Sequence, residues 1–178
     1  MTGQEEQEQM EVWFEPKDKC DLIIRSNDQK GIFHVHSFFL QCQSKFFREF
    51  TFNESMEWDG NKNIIQMALS FLYNTECDEF LGLDEWIQTA YLFNKYQLET
   101  CISACSTTLY KFFTENEDDL TYDEIAQLVK AAEECHISHL YKLAIQFLSK
   151  QTFTEELVCK LSTKCKADLF ELSVKKKS

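Results

Sequence analysis

One proline and four glycines are all that punctuate 178 residues, and that scarcity constrains the fold more than any other feature. Proline and glycine mark turns and breaks in regular structure. With so few of them, long loops and a glycine-rich phosphate cradle have little material to draw on. A helix-rich chain is expected. Hydrophobic residues make up 44% of it, and sixteen are Phe, enough to fill a core and leave aromatic surface for an interface.

The formal charge is -12. That excludes non-specific binding to phosphate backbones, which needs clustered Lys and Arg, so no nucleic-acid partner is expected. The first eleven residues are polar and acidic and do not resemble a secretory signal. No run approaches the roughly 18 apolar residues of a membrane span, so no membrane partner is expected. The eight cysteines therefore read as reduced, mostly buried thiols of a cytoplasmic or nuclear protein.

Residues 1–11 read as a disordered acidic tail. Val12, Trp13 and Phe14 are abruptly apolar and can supply an edge strand, stopped by Pro16. Leu22–Ile24 and Ile32–Val35 form β-prone runs around turn chemistry at Asn27 and Asp28, with Gly31 allowing a positive φ, so a β-hairpin is predicted. Phe38, Phe39, Leu40, Phe46, Phe47 and Phe50 then recur at helical spacing, over two short helices at 37–42 and 44–50. A short strand is expected around Met56–Trp58. Asn61 can cap a helix carrying Ile64, Ile65, Ala68, Leu69 and Leu72, and Asp84 another with Ile87, Ala90 and Phe93. A turn at Lys95–Gln97 leads into a helix through Phe113. Thr121 with Glu124, and Thr152 with Glu155, form capping-box signatures. Residues 95–109 align without gaps to 134–148, which suggests two stacked helical hairpins.

These residues, taken in order, resemble a BTB/POZ domain. The family pattern is an Asp before an apolar strand, a hairpin, F-x-x-H, an apolar helix and S-x-x-F. Asp21, Phe33, His36, Leu40, Ser44 and Phe47 match it. Tyr73 stands where the family has an apolar-Tyr-Thr-Gly segment, followed here by Asn74-Thr75. Ala90, Lys95, Tyr96 and Leu98 match its Ala-Asp-Lys-Tyr-x-Leu helix pair. Residues 121–150 resemble the 3-box helical pair of cullin-binding adaptors, including those with a MATH domain. The expected architecture is α+β and mainly helical: a BTB/POZ domain over 12–114, a 3-box-like pair over 115–150, and a partial BACK-like helix with a basic tail over 151–178.

The resemblance implies a protein-protein adaptor, not an enzyme. It would bind the N-terminal domain of cullin-3 and recruit an unidentified substrate protein to a ubiquitin ligase. In such adaptors a φ-x-Glu motif inserts its hydrophobe into the cullin, and Phe52-Asn53-Glu54 fits it. Phe52, Glu54, Phe50 and Tyr73 are the candidate contact residues, while Asp21, His36, Ser44, Phe47 and Tyr96 carry the fold motif. Homodimerisation is the family default. Two departures bear on it: Ser37 replaces the basic residue that usually joins Asp21 in a charged pocket, and no N-terminal dimerisation helix is evident. The alternatives are a self-associating scaffold of a transcriptional or structural protein, a cullin-binding competitor without a substrate domain, and an elongin-C-like linker.

No cofactor or metal is expected. His34 and His36 alternate, are expected on opposite faces, and make poor joint ligands. Cys101 and Cys105 share a helical face without a second ligand pair at zinc-like spacing, so they read as small buried hydrophobes. Cys135, His136 and His139 lack a visible orienting partner for nucleophilic chemistry.

Overall fold

A computed structural model describes residues 10–51, 54–75, 82–116, 119–150 and 155–175. Two compact units divide the chain, Met1–Ser103 and Ala104–Ser178. The elements in order are β1 (Met10–Trp13), β2 (Leu22–Ser26), β3 (Gly31–Val35), α1 (Ser37–Gln43), α2 (Lys45–Glu49), β4 (Ser55–Trp58), α3 (Lys62–Tyr73), α4 (Leu83–Lys95), α5 (Glu99–Glu115), α6 (Tyr122–Glu134), α7 (Ser138–Leu148), α8 (Glu155–Lys160) and α9 (Thr163–Lys175). The chain is mainly helical with one small sheet, the α+β class expected.

In the first unit the sheet runs in the order β1-β3-β2-β4. β2 and β3 form the antiparallel hairpin, while β1 pairs parallel to β3 and β4 parallel to β2. Alternation sends Leu22, Ile24, Phe33 and Val35 inward, where all are buried, and leaves Ile23, Arg25, Ile32 and His34 on the other face. The expected edge strand exists, but it begins at Met10, inside the stretch assigned to the acidic tail.

The hairpin closes differently from expectation. Gln29, not Gly31, has the positive φ, at 57°. The Gly31 N–H donates to the buried Ser26 Oγ at 2.8 Å, and the Lys30 N–H to the Asp28 carboxylate at 3.1 Å. Gly31 is required for space instead: a Cβ there would lie 2.7 Å from the Phe33 ring.

The helices follow their caps. Asn61 accepts the Ile64 N–H at 3.0 Å and starts α3, whose apolar stripe buries Ile64, Ile65, Ala68, Leu69 and Leu72. Asp84 does not cap α4. The cap lies two residues earlier, at Gly82, whose N–H donates to the Glu85 carboxylate at 2.9 Å. A carboxylate three residues in reaches back more readily than Asp84 can from inside the first turn.

In the second unit Thr121 and Glu124 cap α6 reciprocally: the Glu124 N–H donates to Thr121 Oγ1 and the Thr121 N–H to the Glu124 carboxylate. The Thr152 box falls outside the described residues. The buried stripes of α6 (Ile125, Leu128, Val129, Ala132) and α7 (Leu140, Ala144, Phe147, Leu148) face one core. Phe113 meets Phe147 edge-on at 5.6 Å, and Tyr141 ties α7 to α9 by donating to Asp168 at 2.7 Å.

The internal echo marks a shared junction. The α4–α5 turn puts Gln97 at φ 53°, and the α6–α7 turn puts its counterpart His136 at φ 58°. In each, the next N–H reaches back five residues, Leu98 to the Phe93 carbonyl and Ile137 to the Ala132 carbonyl. This is the Schellman closure of a helix end, here without glycine.

Candidate functional site

α2 is a one-turn helix set by Ser44. The Ser44 Oγ accepts the Phe47 N–H at 3.2 Å and donates to the Tyr96 carbonyl at 2.5 Å, so one buried hydroxyl both caps the helix and ties it to the end of α4. This aims Phe47 inward. The Phe47 ring is fully buried and stacks on Tyr96 at 5.3 Å and Trp58 at 5.9 Å.

Phe46 lies beside Tyr96 at 5.5 Å, and Phe50, one helical turn on, stacks on Phe46 at 5.6 Å. An aromatic ladder thus climbs from the buried Tyr96 through half-buried Phe46 to Phe50, which is 38% exposed. Lys95 sits over the Tyr96 ring at 5.5 Å and pairs with Asp59. The spacing of Phe46 and Phe50 signals a shared helical face, but Phe46 was not among the expected contact residues. Glu54 is exposed, and its carbonyl accepts the Ile23 N–H at 3.0 Å as the chain enters β4. Phe52 and Asn53 lie outside the described residues.

Tyr73 belongs to a different cluster. Its ring stacks on Phe14 at 4.3 Å and Phe39 at 4.7 Å. Its hydroxyl accepts the His36 backbone N–H at 2.8 Å and meets His36 Nδ1, also at 2.8 Å. His36 Nε2 lies 3.1 Å from the Pro16 carbonyl. The Tyr73 hydroxyl can thus accept the backbone N–H and share a proton with Nδ1, while Nε2–H can donate to the Pro16 carbonyl. Burial pushes the Tyr73 hydroxyl up to about 12, so it keeps that proton. Of the four expected contact residues, Phe50 and Glu54 flank the end of α2 and the start of β4, while Tyr73 buttresses the start of α1.

Asp21 fills the place of the broken charged pocket. Its carboxylate accepts the Ser37 N–H at 2.7 Å and the Ser37 hydroxyl at 2.6 Å, capping α1 from the residue before β2. Partial burial pushes this carboxyl up, but the Ser37 bonds outweigh that and hold it below the usual carboxylate range. A carboxyl lowered on folding stabilises the fold above its unfolded value, and this is lost as pH falls through the lowered one. The stability gap between wild type and Asp21→Asn is therefore expected to shrink in acid, below about pH 4, in urea titrations. A gap constant down to pH 2 contradicts it.

The two histidines need a correction. Residues two apart in a strand share a face, so opposite faces was the wrong geometry. What separates them is that β3 ends at Val35 and His36 is the N-cap of α1. Among the described residues, no group of three or more His, Cys, Asp or Glu could hold a metal. Burial pushes the Cys101 and Cys135 thiols up to about 11, the reverse of an activated nucleophile. No described helix is long and apolar enough to cross a membrane.

Comparison with curated proteins gave no match. The family model for the BTB/POZ domain matches residues 10–113, from the first residue of β1. Domains of this kind are in general protein-interaction modules. That match covers more than half of the 178 residues and takes in the hairpin, the helix pair around Ser44 and the aromatic ladder: the chain belongs to the BTB/POZ domain family.

Proposed function

We propose that this protein is a non-enzymatic adaptor that docks on the N-terminal domain of cullin-3 and presents a second protein for ubiquitin transfer. The observation that carries the reading is Phe50, partly exposed at the top of the ladder, with Glu54 exposed just beyond it. A large aromatic held by rings beneath it loses little freedom on docking, and anchors of this kind dominate interface energetics. The Phe52-Asn53-Glu54 motif begins two residues after Phe50 in the chain and ends on Glu54. Residues 115–150 serve as a 3-box that widens the contact, and 151–178 as the start of a BACK-like extension. An adaptor of this type does no chemistry. It raises the local concentration of substrate lysines and works in the cytoplasm or nucleus, where its thiols stay reduced. A chain that occupied the cullin without a substrate would act as a competitor.

Calorimetry of the full chain against the cullin-3 N-terminal domain tests this. Phe52→Ala and Glu54→Ala are each expected to weaken binding by about 1 kcal/mol or more. Unchanged affinity in both removes the motif from the interface, and no binding by the wild type removes the reading.

A second reading, self-association, is favoured by a separate surface. Trp13, on the edge strand β1 where strands can add, is 41% exposed, and Phe38 on α1 is 71% exposed. Sedimentation separates the two: a dimer that does not bind cullin supports self-association alone.

A further inference from the structure

Phe50 closes α2 with extended backbone, φ -87° and ψ 131°. Thr51 follows it, exposed and in neither a helix nor a strand. Glu54 stands three residues on, also exposed, and is held in place by its carbonyl on the Ile23 N–H. The chain then enters β4, an edge strand of the sheet, where Glu57 is exposed as well.

A hydroxyl with carboxylates downstream is a charge pattern that acid-directed protein kinases read. Among the described residues, two threonines have a described acid three positions on: Thr51 with Glu54, and Thr121 with Glu124. They differ in availability. The Thr121 hydroxyl already donates to the Glu124 carboxylate at 2.6 Å, and that acid is wound into the first turn of α6. A kinase must bring the hydroxyl in line with the γ-phosphoryl of its nucleotide and within reach of its own base. At Thr121 it would first have to break the helix cap. Thr51 lies outside α2 and β4 and needs no such unwinding.

The consequence falls on the next residue. A phosphate adds about 1.5 to 2 negative charges directly beside the partly exposed Phe50 ring. A docked apolar surface cannot take up that charge without losing its hydration, and exposed Glu49 and Glu54 add like charge on either side.

We propose that Thr51 is the phosphate acceptor for an acid-directed protein kinase, and that its phosphate switches off docking through the Phe50 face. The switch rests on the docking reading above; the acceptor does not. In the transfer, the bond from the γ-phosphorus to Thr51 Oγ1 forms as its bond to the nucleoside diphosphate breaks. The hydroxyl proton goes to the kinase's base and the diphosphate leaves.

The test treats the full chain with casein kinase 2 and ATP, maps the product by mass spectrometry, and titrates it by calorimetry against the cullin-3 N-terminal domain. Phosphate is expected on Thr51 ahead of Thr121, absent from that position in Thr51→Val, and reduced at least about fivefold in Glu54→Gln. Affinity is expected to fall at least about tenfold, while Thr51→Val taken through the same reaction keeps its affinity. No phosphate on Thr51, phosphate on Thr121 ahead of it, or no response to Glu54→Gln overturns the acceptor. Phosphate on Thr51 with undiminished binding overturns the switch. Failure of the untreated chain to bind overturns the docking reading, and the switch with it, while the mass spectrum still decides the acceptor.

Discussion

Phe47→Ala is expected to destabilise the first unit by about 3–5 kcal/mol, the range for deleting a fully buried aromatic ring. The ring is completely enclosed, so its removal leaves a cavity bordered by Tyr96 and Trp58. The cavity cannot collapse freely. Ser44 pins the start of α2 to the Tyr96 carbonyl, and Trp58 ends a strand paired with β2. Neither wall can move inward without breaking a backbone-level contact, so the loss should fall towards the upper end of the range. Urea denaturation followed by far-UV circular dichroism reads it directly. A loss below about 1 kcal/mol would place Phe47 outside the rigid core.

How far the sequence made this architecture visible depends on the range over which each signal acts. Local signals were legible. The Asn61 cap, the Thr121–Glu124 box, the stripe of Ile125, Leu128, Val129 and Ala132, and the alternation of β2 and β3 are set by residues a few positions apart. The left-handed residues were not, because Gln29, Gln97 and His136 carry no glycine to announce them; tertiary context holds them there. Gly31 was read for backbone freedom when its role is the space that Phe33 needs, a contact on the same face of the strand. Asp84 looked like a cap because residue type alone does not show which carboxylate reaches back. The parallel pairing of β1 with β3 joins segments about twenty residues apart and leaves no local trace.

The candidate site was legible in the same measure. Helical spacing grouped Phe46, Phe47 and Phe50 at one short helix, which ends at Glu49 with Phe50 as its C-cap, and the family resemblance pointed to the segment that follows. It did not show that Phe50 rests on Phe46 while Tyr73 rests on Phe14 and Phe39. Sequence supplies aromatic residues; only the fold sorts them into clusters.

That sorting leads to the second large effect. Phe50→Ala is expected to weaken cullin-3 binding by about 2 kcal/mol or more, roughly thirtyfold in affinity. Its effect on stability should be small, because the Phe50 ring is already partly exposed and the rings below it remain. Tyr73→Phe should behave in the opposite way. It removes a hydroxyl that serves both the His36 N–H and His36 Nδ1, and leaving such partners unsatisfied costs about 1–3 kcal/mol. The rings of Phe14 and Phe39 still hold the residue, so binding should hardly change. Calorimetric affinity and urea stability measured on the same two variants give a crossed result: one loses binding, the other stability. If Tyr73→Phe instead loses binding at unchanged stability, Tyr73 is a contact residue and the partner covers the start of α1. If Phe50→Ala loses stability alone, the ladder is core and its exposed ring is not an anchor.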